Sequence, residues 1–198
     1  MSNPELFKQN KYTVVKKALS EDAARLVGNS LIISEARDEM VPDDMQVVGA
    51  SCSYGLTIME SVLLQLHKTV EENTGLRLCP TYSFTRIYRA GDVLARHTDR
   101  PSCEISATLT LNYKADKLWP IGVKNLEGRD IDVSLDIGDL MIYRGCEVEH
   151  WRDAFEGDLW MQVFIHYIDM NGPFYPECAF DKRGDYIPPV YRFIMDHL

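Results

Sequence analysis

The chain has 198 residues, enough for one domain of ordinary size, and its 45% apolar and 26% charged residues are those of a soluble globular protein. A formal net charge of -9 argues against a general nucleic-acid or anionic-membrane surface, since phosphate binding needs clustered Lys and Arg. No apolar run reaches the length of a membrane span, and "MSNPELFKQNKYTVVKK" lacks the apolar core of a secretory signal. Five scattered cysteines, Cys52, Cys79, Cys103, Cys146 and Cys178, form no CxxC pair, so a reduced, cytoplasmic setting without a zinc knuckle is expected.

Ser20 is placed to cap a helix through "EDAARLVGNSLI", with Ala23, Leu26, Val27 and Leu31 at helical spacing. A stronger helix reads "LTIMESVLLQLHKTVEEN", where Leu56, Met59, Val62, Leu63, Leu66 and Val70 form one stripe and Gly75 follows. His67 within it reads as a surface or helix-edge residue. From Pro80 the texture changes to short strands between turns: "TYSFTRIY" before "RAGD", "EISATLTLNY" before "KADK", "IDVSLDIGD" into "LMIY", then "RGCEVEHW", and "LWMQVFIHYI" after "EGD". Helices followed by many strands predict a mainly β fold with flanking α, a barrel or double-sheet jelly roll with the helices packed on one sheet. One domain is expected, with helical support over about 1–79, a β core over about 80–170 and a tail over about 171–198. The tail, with Pro173, Pro176, Pro188 and Pro189, is expected to wrap the surface or cover a site before a helical "YRFIMDHL".

Within "LARHTDRPSCEISATLTL", His97 and Asp99 stand two apart at the edge of a strand, where ionisable groups are out of place without a solvated edge or a task. Side chains at i and i+2 share a strand face, so the pair can converge on a metal ion or lie exposed at a strand end. Two further histidines fall in the strand-rich part: His150 in "GCEVEHWRD" and His166 in "VFIHY". Two imidazoles and one carboxylate on one face of an octahedral ion leave three positions open, as an oxygenase needs.

In order along the chain, "YRAGDVLARHTD", "SATLTLNY", "DIGDLMIY" and His150 resemble the Fe(II)/2-oxoglutarate-dependent dioxygenases, especially their prolyl-4-hydroxylase-like branch, over roughly residues 80–167. The resemblance implies a double-stranded β-helix with His97, Asp99 and His150 as catalytic iron ligands, and Tyr88, nine places before His97, in the cosubstrate site. It implies Fe(II), 2-oxoglutarate and O2, with ascorbate as an accessory reductant. The reaction it implies is hydroxylation of a peptidyl side chain, an amino acid or another small molecule, with release of succinate and CO2. His166 is the rival third ligand: on regular alternation it would share an inward face with Trp160, Gln162 and Phe164, and a hydrogen-bonded histidine is the preferred reading.

Two departures qualify the resemblance. Many members carry a Lys or Arg about ten places after the distal histidine, to pair the far carboxylate of 2-oxoglutarate; here that place is Trp160, flanked by Leu159 and Met161. Arg86, on the face of Tyr88, and Arg152, on the face of His150, are the substitutes. Arg100 is a third candidate, for the substrate or for bracing the metal carboxylate, and Trp160 and Gln162 would form pocket wall or support. "KLWPIGVKN" stands where the branch has a Gly-Gly-acidic-Thr stretch, which weakens prolyl hydroxylation as the specific activity and leaves Trp119 and Pro120 to shape another pocket or pack a turn. A cupin-type metal enzyme that does not use 2-oxoglutarate and a catalytically silent jelly-roll binding module are the alternatives. Oligomeric state is not encoded legibly.

Overall fold

In the computed structural model, which describes residues 1–43 and 45–183, the chain opens with a short helix, α1 (Asn3–Asn10), and a strand, β1 (Tyr12–Val15). Helix α1 is started by a capping box, in which the Ser2 backbone N–H donates to Glu5 Oε2 at 2.7 Å. Helix α2 (Glu21–Ala36) begins at Ser20, whose Oγ accepts the Ala23 N–H at 3.3 Å, so the expected cap is present. Strands β2 (Val41–Pro42) and β3 (Ser51–Tyr54) precede helix α3 (Thr57–Thr74), which ends at Gly75 with a left-handed φ of 71°. There follow β4 (Leu78–Tyr88), β5 (Leu94–His97), β6 (Ile105–Lys114), β7 (Ile121–Lys124), β8 (Asp130–Val133), β9 (Leu140–Arg144), β10 (His150–Arg152) and β11 (Leu159–Asp169).

All the strand pairings are antiparallel, and they build two sheets. The larger has the order β1-β9-β6-β11-β4-β3-β2 and the smaller β5-β10-β7-β8. Alternation along β11 explains how they face one another. Met161, Val163, Ile165 and Tyr167 point to the helices and join Leu31, Met59, Leu63 and Leu66 in one core. Trp160 and Phe164 point the other way, into the space between the sheets, with Tyr88, Trp119 and Phe155. This is the double-stranded β-helix with helices on one sheet that the strand pattern predicts.

Several local expectations need correction. Leu26 is 70% exposed, and the buried face of α2 is Ala24, Val27, Gly28 and Leu31. The helix is turned by its close approach to the sheet: a Cβ on Gly28 would lie 3.4 Å from Asn112 Cβ and from Met161 Sδ, so the smallest residue marks the contact line. His67 is buried, its Nε2 lying 3.0 Å from the Leu78 carbonyl oxygen and its ring stacked on Tyr167 at 5.5 Å, because it continues the Leu63 stripe onto the start of β4. The "KLWPIGVKN" segment contains a strand, β7, and α1, β1, β2 and β3 extend the framework ahead of the expected core.

The tail returns across the sheet, where Cys178 packs with Cys79 and Ile168, and a 3-10 turn at Ala179–Lys182 brings it back to the barrel. Pro188, Pro189 and "YRFIMDHL" lie outside the described residues. Among the described residues, no helix is long and apolar enough to cross a membrane.

Candidate metal centre

Strand β5 stops at His97, and β10 pairs with it so that His150 stands directly opposite. The two rings meet with centroids 4.2 Å apart. Asp99 lies past the strand end, anchored by its own N–H, which donates to the Gly145 carbonyl at 2.8 Å. Its Oδ1 is 3.6 Å from His97 Nε2 and 3.6 Å from His150 Nε2. These gaps exceed hydrogen-bond length, and one donor atom from each of the three residues falls within 4.8 Å of the others, the spacing of ligands around one ion.

Each donor is oriented by a partner behind it. His97 Nδ1 donates to the Ala95 carbonyl at 2.8 Å and His150 Nδ1 to the Val148 carbonyl at 2.9 Å, which leaves both Nε2 lone pairs turned inward. Ser106 Oγ donates to Asp99 Oδ2 at 2.7 Å and lies 3.0 Å from His166 Nδ1 and 3.0 Å from the Cys103 carbonyl oxygen. Burial lowers the pKa of His150 and takes that of His166 down to about 4, so both imidazoles are neutral near pH 7 and a metal need not compete with a proton. His166 thus supports the carboxylate through Ser106. Its donor atom, with those of Asp99 and Cys103, makes a second close set. Burial first and the Asp99 charge second push the Cys103 thiol up, and Tyr82 Oη lies 3.0 Å from its sulfur. That thiol is a poor ligand while protonated.

Ser106 and Gly145 are the site residues that sequence reasoning missed. A Cβ on Gly145 would lie 2.2 Å from the Cys103 carbonyl oxygen and 2.4 Å from Asp99 Oδ2, so the chain must have glycine where it passes behind the carboxylate. A glycine five places before the distal histidine was the available signal.

A cavity of about 520 Å³ opens onto the three residues and is lined also by Tyr54, Tyr82, Arg86, Arg100 and Tyr143. A larger groove of about 630 Å³, lined by Lys117, Trp119, Trp151 and Glu156, holds none of the three.

The arginine candidates differ in what they already touch. Arg86 is buried against Asp43, with Nη2 also 3.0 Å from Gln46 Oε1 and Nη1 donating to Tyr88 Oη at 3.1 Å. Arg152 is also buried, but among the described residues Nη1 donates only to the Trp119 carbonyl, at 2.5 Å, and Nε and Nη2 have no partner. Its guanidinium lies over Trp119 at 4.7 Å and Trp160 at 5.6 Å, with the Tyr88 and Tyr143 phenols as its electrostatic neighbours. Burial takes its pKa down to about 10, which marks a cation short of a counter-charge. Arg100 is paired with Asp181. Trp160 Nε1 donates to Gln162 Oε1 at 2.7 Å and Gln162 Nε2 to Thr108 Oγ1 at 2.6 Å. The structure therefore uses Trp160 as the wall beside Arg152 and Gln162 as its internal support, and neither lines the cavity.

No family model and no curated protein matches the chain. Solved structures do. The epimerase SnoN from nogalamycin biosynthesis, a non-heme α-ketoglutarate-dependent enzyme, superposes with a TM-score of 0.72 at 12% identity, covering 84% of this chain and 81% of its own. A Pseudomonas putida prolyl-4-hydroxylase gives 0.67 at 17%, covering 83% and 96%. HygX from Streptomyces hygroscopicus, solved with nickel, 2-oxoglutarate and hygromycin B, gives 0.67 at 10%, covering 84% and 86%. At such identities the likeness is one of architecture: the chain has the fold of the 2-oxoglutarate-dependent oxygenases, prolyl-4-hydroxylases among them.

Proposed function

We propose that the chain is an Fe(II)- and 2-oxoglutarate-dependent oxygenase that hydroxylates a peptidyl side chain, an amino acid or another small molecule, with release of succinate and CO2. His97, Asp99 and His150 are its metal ligands. The observation that carries the reading is their convergence, in this particular fold, with a buried Arg152 two residues after His150 that has no acidic partner among the described residues. Two imidazoles and a carboxylate on one side suit a six-coordinate ferrous ion and leave its other side open.

Bound there, iron supplies the oxidising chemistry, coupling dioxygen activation to decarboxylation of 2-oxoglutarate. The protein's own residues position the reactants. Ser106, itself held by His166, keeps one oxygen of Asp99 occupied and the other turned to the metal. Arg152 pairs with the distal carboxylate of 2-oxoglutarate, with the Tyr88 phenol beside it, and so takes over the task that a basic residue at position 160 would perform. Trp119 and Trp160 exclude water from that pairing, which strengthens it. Arg86 is the weaker anchor because Asp43 already neutralises it. HygX, with nickel, 2-oxoglutarate and hygromycin B bound, and a prolyl hydroxylase in complex with a peptide fragment from Trichoplax adhaerens give precedent in this fold for both sizes of ligand. Five free thiols, four of them buried, fit a reducing, cytoplasmic setting.

The test is succinate release from 2-oxoglutarate by the Fe(II)-loaded protein with ascorbate, with and without candidate substrates. Absence of both turnover and 2-oxoglutarate binding would sink the reading in favour of a cupin-type enzyme or a silent module.

A further inference from the structure

The last described segment ends at the mouth of the metal cavity. There the Asp181 carboxylate meets the Arg100 guanidinium fork to fork, Nη1 to Oδ1 at 2.6 Å and Nη2 to Oδ2 at 2.8 Å. Tyr54 Oη donates to the same Oδ2 at 2.6 Å. Arg100 lies over the Tyr82 ring at 4.7 Å, Tyr82 stacks on Tyr54 at 4.8 Å, and Ser102 Oγ is 3.0 Å from Arg100 Nη1. A planar cation and the Tyr54 and Ser102 hydroxyls thus surround one carboxylate, with the Tyr82 ring against the cation. Arg100, Tyr54 and Tyr82 line the cavity that holds His97, Asp99 and His150, and Arg100 directly follows Asp99.

The cradle and its occupant have different standing in the fold. The cradle is framework: Tyr82 lies within β4, and the Ser102 carbonyl accepts from Thr81 Oγ1 at 2.7 Å. The carboxylate arrives from 81 residues away on a stretch in which Phe180, Asp181 and Lys182 have φ of 51°, 54° and 56°. Three successive non-glycine residues in the left-handed region are disfavoured backbone, seated here by Arg183, which bonds Glu60 Oε2 at 3.0 Å and the Thr81 carbonyl at 2.5 Å. Of the other two arginines, Arg86 lines the cavity and is already paired with Asp43, and Arg152, proposed for the cosubstrate, lies buried behind that lining.

We propose that Arg100, with Tyr54 and Ser102, is a carboxylate-binding subsite for the substrate, and that Asp181 occupies it in this structure as an internal stand-in. The assignment of that carboxylate to a substrate rests on the oxygenase reading. It narrows the substrate class to molecules that carry a carboxylate, which displaces Asp181 on entry. A net charge of -9 would otherwise repel such molecules, and Arg100 at the mouth gives them a specific point of attachment.

Acetate is the probe, used on metal-free protein so that the metal ligands do not capture it through an ion. Wild type, Asp181→Ala, Asp181→Asn and the double variant Asp181→Ala/Arg100→Met are compared by acetate titration, read by thermal denaturation and by ligand-observed NMR. Acetate taken up at Arg152 is common to all four and cancels. Asp181→Ala should bind acetate at least tenfold more tightly than wild type, where the tethered carboxylate competes at high effective concentration. Asp181→Asn should fall between them, and the double variant should lose the gain. Equal affinity in wild type and both single variants, or a gain that survives Arg100→Met, would overturn the subsite. Binding of 2-oxoglutarate to nickel-loaded wild type is measured in parallel. If it fails, the oxygenase reading falls and the acetate result still decides whether Arg100 binds carboxylates. If it succeeds without Arg100-dependent acetate binding, the subsite alone is wrong.

Discussion

His97 and His150 are register partners across the β5–β10 ladder, so backbone hydrogen bonding itself sets the separation of two proposed metal ligands. Asp99 then needs only to turn back from the strand end to complete the set, and Gly145 leaves room for it to do so.

Loss of any one of the three should abolish tight metal binding. His97→Ala, Asp99→Ala and His150→Ala are each expected to reduce iron affinity by more than about 100-fold, and Ser106→Ala, which leaves the donor set intact, by about 10- to 100-fold. Metal content after dialysis against Fe(II) measures this. Undiminished iron in both Asp99→Ala and His97→Ala would refute the ligand assignment.

Arg152 and Arg86 should separate in an informative way. Arg152→Met removes a buried charge without an ionic partner, so it should raise the thermal midpoint of the ligand-free protein while weakening 2-oxoglutarate by roughly 30-fold or more, about 2 kcal/mol upward. Arg86→Met strands the Asp43 carboxylate and should destabilise the fold by about 3 kcal/mol or more. Thermal melts and calorimetric titration of nickel-loaded protein decide between them. A larger loss of 2-oxoglutarate affinity in Arg86→Met, in protein that still folds, would move the anchor to Arg86.

Gly145→Ala should damage the centre without touching a ligand. The new methyl group overlaps both the Cys103 carbonyl and the Asp99 carboxylate, so iron affinity should fall together with stability, the latter by about 1–3 kcal/mol. Gly91→Ala is the control: its φ of 89° carries strain, yet nothing lies within 4 Å of the new Cβ, so stability should fall and iron affinity should hold.

Acid should loosen the metal-free protein through His166. Its pKa falls from about 6.5 in the unfolded chain to about 4 when folded, so between those values the unfolded state binds the extra proton. The stability held by the neutral, buried ring is complete above pH 6.5 and is lost progressively as pH falls toward 4, by about 3 kcal/mol in all. Urea denaturation of metal-free protein across that range should show the slope, and His166→Gln should flatten it. Asp181 acts lower: against the pull of burial, hydrogen bonds from Arg100, Tyr54 and Ser102 bring it down to about 2, so its contribution disappears only below pH 4.

The convergence of His97, Asp99 and His150 was legible because its signals are written locally. His97 and Asp99 interrupt an otherwise strand-like run, and His150 follows a Gly-Asp turn and a strand at the spacing of a known architecture. Alternation in β11 foretold which residues face the helices and which face the other sheet. Long-range relations were not legible. Whether Arg86 or Arg152 lacks a counter-ion depends on Asp43, far off in sequence, and Arg100 meets Asp181 across 81 residues with no local trace. Helical spacing named Leu26 and missed the buried Ala24, because the contact line of α2 is drawn by the backbone approach at Gly28, which apolar periodicity does not weigh. Strands β1, β2 and β3 have at most four residues each, too few for a periodic signal.

Strand β5 has a further consequence. It is the outermost strand of the smaller sheet, four residues long, and among the described residues its ladder is to β10 alone. An ion shared by the proposed ligands His97 and His150 would therefore staple this short edge seam, and a chelator should loosen it while the larger sheet keeps its hydrogen bonds. Amide exchange confined to residues 94–97 would make the rim of the cavity a gauge of how much metal the protein carries.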